Sequence, residues 1–134
     1  MTAKRLTKED IRRNTGVLNP VGHVVLAFES DAVTAQAVGA LHAAGFTAED
    51  MLVYSSREAT SRLRERVATV SQSAGFGYEV NLMRRYLTLA EEDCGWLIVY
   101  APSDEAVVRI VEVATRYEAK CAVRYHRLAN EDLI

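Results

Sequence analysis

The chain has 134 residues, of which 49% are apolar and 25% charged, an ordinary composition for one domain with its own core. A formal charge of -2 argues against a dedicated nucleic-acid binder, which carries a strong positive excess. Cys94 and Cys121 form no CxxC pair and are too few for a disulfide framework, so reduced thiols in a cytoplasmic protein are expected. There is no N-terminal apolar h-region and no apolar run of about 18 residues, so neither secretion nor a membrane span is expected.

Residues 1–20 are polar and basic, with Lys4, Arg5, Lys8, Arg12 and Arg13 set against Glu9 and Asp10. Thr7 and Asp10 suit a short capped helix, and Asn14-Thr15-Gly16 and Asn19-Pro20 break it. A flexible arm, 1–20, is therefore expected ahead of a single domain, 21–134. In the domain, His23–Phe28 is a β-branched apolar run of strand length. Ser30 and Asp31 start a helix carrying Ala37 and Leu41, Gly45 ends it, and Met51–Tyr54 form a second strand.

A helical insert, 56–92, follows. Ser55 and Glu58 have capping-box spacing. Ala59, Leu63, Val67 and Val70 share a face, with Arg57, Arg62, Arg64 and Arg66 largely outside it. A second helix, from about Tyr78 to Glu91, turns Leu82, Met83, Tyr86, Leu87 and Ala90 inward. The second half repeats the first: strand Trp96–Tyr100, a helix capped by Ser103, strand Cys121–His126, then a polar tail.

Two β-α-β units with right-handed crossovers predict an α+β, ferredoxin-like two-layer sandwich. Its four-stranded antiparallel sheet has the order 4-1-3-2 and helices on one face. A parallel flavodoxin-like sheet fits less well, because the strands are short and no glycine-rich loop follows the first.

Motifs for chemistry are scarce. Gly75-Phe76-Gly77-Tyr78 looks like the centre of an RNA-recognition octamer, but Ala74, Glu79 and Asn81 stand where a base, an aliphatic and an aromatic belong. As a phosphate loop it lacks a preceding strand and a lysine. His23, His42 and His126 have no metal-ligand spacing. No catalytic residue, metal or cofactor is assigned.

Strand alternation is more informative. It sets His23, Val25 and Ala27 against Val24, Leu26 and Phe28, and Trp96, Ile98 and Tyr100 against Leu97 and Val99. In the last strand Ala122, Arg124 and His126 oppose Cys121, Val123 and Tyr125. With the wholly aliphatic sides against the helices, His23, Tyr54, Trp96, Tyr100, Arg124 and His126 line an open, aromatic-rich face that needs a cover. A second copy of the chain is the first choice. The chain's own insert or arm, or a small ligand, are the others.

The stretch VVLAFESDAVTAQAVGALHAAGFTAEDMLVYS, Val24 to Ser55, resembles bacterial small stress-response domains of the general-stress and heat-induced-stress type. Tyr86-Leu87 before Gly95 and an aliphatic strand, and Ala119 ahead of the last strand, extend the likeness. The resemblance implies a ferredoxin-like fold and a bacterial cytoplasmic setting, and lends no catalytic residues. The expected function is a non-enzymatic stress-associated or regulatory domain that forms a homodimer through its sheet. The alternative is a small-ligand-binding module or small enzyme with a pocket near His23, Tyr100 and His126.

Overall fold

A computed structural model describes residues 3–14, 16–73, 77–127 and 129–134, the side chains of 71–73 excepted. In chain order the elements are α1 (Lys8–Arg13), β1 (His23–Phe28), α2 (Asp31–Ala43), β2 (Met51–Tyr54), α3 (Ser56–Ser73), α4 (Tyr78–Glu91), β3 (Gly95–Tyr100), α5 (Asp104–Arg116), β4 (Cys121–Tyr125) and β5 (Asn130–Asp132).

The helix starts follow from side-chain chemistry. The Ser30 hydroxyl accepts from the Val33 N–H and that of Ser103 from the Ala106 N–H, satisfying donors that the first turn leaves free. Ser55 and Glu58 form the reciprocal box that starts α3. At its far end α2 is held by Arg109 of α5, which donates to the Ala44 carbonyl at 2.6 Å. Gly95 is required where α2 crosses the start of β3, since a Cβ there would collide with Thr34 and Asp31.

The fold is α+β, with one antiparallel sheet in the order β2-β3-β1-β4-β5. The first four strands lie in the sequence-predicted order. Two features differ from expectation. First, the polar tail supplies a fifth strand: Asn130, Glu131 and Asp132 pair with Tyr125, Arg124 and Val123. An edge strand is held by backbone hydrogen bonds, so Asn-Glu-Asp carries no side-chain signal for it.

Second, helices cover both faces. Val24, Leu26, Phe28, Leu97, Val99 and Ala122 pack against α2 and α5 through Ala37, Leu41, Ile110 and Val113. On the opposite face Val25, Ala27, Trp96, Ile98, Cys121, Val123 and Tyr125 pack against α3 and α4 through Ala59, Leu63, Leu82, Tyr86 and Ala90. The two-layer expectation, with helices on one face and the other open, is thus corrected. The insert is too apolar on one side to stand away from the sheet, and the His23–Trp96 face is the surface left to bury it.

Candidate functional site

The chain's aromatic sheet face has its cover in α3, α4 and the N-terminal segment. Between them lies a cavity of about 350 Å³, at the small end of ligand pockets. Its floor is the sheet, through Val25, Tyr54, Trp96 and Ile98. One wall is α3, from Glu58 to Thr69, and Tyr86 of α4 adds another. The third wall is the N-terminal segment, through Lys8, Ile11, Arg12, Asn14, Gly16 and Leu18.

That segment is docked on the domain. Thr7 and Asp10 cap α1 reciprocally, and the hydrogen bonds from Thr7 hold the Asp10 carboxyl below its ordinary range. Arg5 pairs with Asp50 at 2.9 Å and Lys8 with Glu58 at 3.3 Å. The Lys8 ammonium lies 4.4 Å from the Tyr54 ring centre, within cation-π range. Two guanidinium bonds from Arg66 of α3, to the carbonyls of Ile11 (2.6 Å) and Gly16 (2.9 Å), tie the segment to the wall opposite.

Two polar atoms in this lining are anomalous. Tyr54 Oη and Trp96 Nε1 are buried and have no hydrogen-bond partner among the described residues. Trp96 is only 4% exposed, and its ring meets Tyr86 edge-on at 5.2 Å. Burial, aided by the nearby Glu58 carboxylate, pushes the Tyr54 phenol up to about 12. It is a neutral hydroxyl at physiological pH. Tyr86, by contrast, is satisfied: its hydroxyl lies 2.8 Å from that of Tyr125, and burial raises both.

Of the six open-face candidates, Tyr54 and Trp96 line the cavity. His23 and Tyr100 share their sheet face but lie beneath the start of the chain. Their rings are 5.2 Å apart, the Tyr100 hydroxyl donates to the Ala3 carbonyl, and His23 Nε2 accepts the Leu6 N–H. Arg124 and His126 are elsewhere. The register Val25↔Val123 places Cys121, Val123 and Tyr125 on the cavity face and turns Arg124 away, to Asp104 of α5 at 3.0 Å. His126 meets Glu131 of β5 at 2.9 Å. The cavity thus lies around Tyr54 and Trp96, and His23, Tyr100 and His126 are not among its lining residues.

Arg66, Arg62, Leu63, Ile11 and Leu18 were not singled out as site residues. The sequence pattern sets Arg62 and Arg66 largely outside the apolar face of α3, yet each lies three residues from Ala59 or Leu63 and so borders that face. Gly75 and Phe76 of the glycine-rich motif lie outside the described residues, while Gly77 begins α4 and Tyr78 is exposed. No cluster of three metal-ligating side chains occurs among the described residues, and no described helix is long and apolar enough to cross a membrane. Comparison with protein-family models, curated proteins and solved structures finds no match.

Proposed function

We propose that the chain is a ferredoxin-like, non-enzymatic binding domain whose insert and N-terminal segment close one sheet face over a pocket for a small organic molecule. The strand order β2-β3-β1-β4 supports the ferredoxin-like reading, with β5 as an addition. One observation carries the functional reading: an apolar cavity lined by two buried polar groups that nothing described in the chain satisfies. Each such group costs about 1–3 kcal/mol when left unpaired. Phenylalanine at position 54 would keep the ring without that cost.

A stress-associated regulatory role and a cytoplasmic setting rest on the resemblance alone and belong to the same proposal. Homodimer formation through the sheet face would require α3, α4 and the N-terminal segment to leave it. The pocket reading requires no such displacement.

A thermal-shift series with indole, p-cresol and 2-naphthol tests the pocket. Ligand at one hundred times its Kd adds about 2.7 kcal/mol to folding stability, so a binder raises Tm. In an Ala59→Trp variant, whose indole fills the cavity from α3, the shift should vanish while the circular dichroism spectrum is retained. Equal shifts in both proteins, or none in the parent, would refute the pocket.

A further inference from the structure

The charges around the cavity are unbalanced in a way that specifies its ligand. Four cations line it, Lys8, Arg12, Arg62 and Arg66, against two acids, Glu58 and Glu65. Lys8 is engaged by Glu58, and Arg12 by Glu9 outside the cavity. Arg66 is different: it is half-buried and forms no ion pair among the described residues. Its two described hydrogen bonds go to carbonyl oxygens, which offer dipoles but no counter-charge. Five N–H donors on a guanidinium leave it capacity for more. Arg62, one turn earlier on α3, also has no described ion pair.

The orphaned polar atoms add a second constraint. An indole N–H can only donate, so whatever satisfies Trp96 Nε1 must present an acceptor. Tyr54 Oη donates or accepts. Their sheet neighbours Val25 and Ile98, with Leu63 opposite, demand an apolar body.

Resting on the pocket reading above, we infer that the ligand is an amphipathic organic acid, its apolar body between the sheet and α3 and its carboxylate neutralising Arg66 with help from Arg62. A carboxylate matches the planar guanidinium fork and supplies acceptors on both oxygens. A cationic ligand would meet an excess of like charge, and a neutral one would leave Arg66 with the neighbouring Glu65 as its counter-charge and no ion pair among the described residues.

Three probes with one butylphenyl body and head groups of different charge test this on the full chain: 4-butylbenzoate, 4-butylbenzamide and 4-butylbenzylamine, titrated by calorimetry and by emission of Trp96, the one tryptophan present. The acid should bind about tenfold tighter than the amide, as a charge-assisted bond exceeds a neutral one, and the amine should be weakest. Arg62→Gln, at an exposed position, should narrow the acid–amide gap. The inference is overturned if the amide or amine binds as tightly as the acid, or if acid binding survives Ala59→Trp. Trp96 responding equally to all three would leave the pocket standing and remove only the acid. Silence of all three probes, together with indole, cresol and naphthol, would remove both.

Discussion

His23 Nε2 accepts the Leu6 N–H at 3.2 Å while Nδ1 lies 3.0 Å from the Val21 carbonyl, so the proton sits on Nδ1 and the ring is neutral. Burial lowers the pKa from 6.5, opposed in part by the bond to Val21. Tyr100 faces the ring, with Arg5 above the tyrosine. A proton on Nε2 would set N–H against N–H. Because the folded pKa is the lower one, this stabilising effect is complete above pH 6.5 and lost as pH falls through the folded value. Urea unfolding at pH 7.5 and 5.5 should show the lower stability at 5.5, and His23→Gln should flatten the difference. A variant with the parent's slope would exonerate His23. The second residue-scale prediction concerns Tyr86 and Tyr125. Removing either hydroxyl orphans the other inside the core, so Tyr86→Phe should cost about 1–2 kcal/mol. The double variant with Tyr125→Phe should cost less than the sum of the singles. Additive costs would mean the 2.8 Å contact contributes nothing to folding.

At the scale of elements, the N-terminal segment is a built part of the domain although its sequence reads as a loose polar arm. Exposed ion pairs such as Arg5–Asp50 and Lys8–Glu58 contribute only a few tenths of a kcal/mol to about 1 kcal/mol each. Ile11 and Leu18 packing on the sheet-face cluster, the bonds from Arg66 and the Tyr100–Ala3 bond complete the attachment. Gly22 is where it can be tested. Its φ of 83° is in the left-handed region, and a Cβ there would collide with that of Ala3. Gly22→Ala should cost about 1–2 kcal/mol in backbone strain, and should lift the segment, speeding hydrogen exchange at the Leu6 amide. Unchanged exchange at Leu6 would show that Ala3 moves without releasing the segment. The helix starts were readable in advance, since the cap residues Ser30, Ser55 and Ser103 act on donors two or three residues away. The docking of the segment was not readable, because its partners Asp50, Glu58, Arg66 and Tyr100 lie far along the chain.

For the molecule as a whole, the two thiols report on cooperativity. Cys94 and Cys121 are buried, and burial pushes both up, Cys121 to about 12. They belong to the cluster between the sheet and the α3–α4 cover. A disulfide reagent at pH 8 should label them only when that cluster opens, at a rate that rises with urea in step with unfolding. Rapid labelling in the absence of urea would mean that the cover moves independently of the sheet.

What the amino-acid order determined by itself was the local inventory: the first four strands, α2 to α5, the caps Ser30, Ser55 and Ser103, and the two-fold repeat of strand, capped helix, strand. Periodicity and capping act within a few residues, so they need no knowledge of the rest of the chain. The tertiary structure decided which face each strand of that inventory shows. Cys121, Ala122 and Val123 are apolar on both sides of β4, so alternation there supports either orientation, and only pairing with β1 turns Val123 toward the α3–α4 cover and Arg124 away. It also decided that the insert lies over the aromatic face. That choice depends on where its apolar side finds the most surface to bury, a quantity that exists only after the sheet has formed.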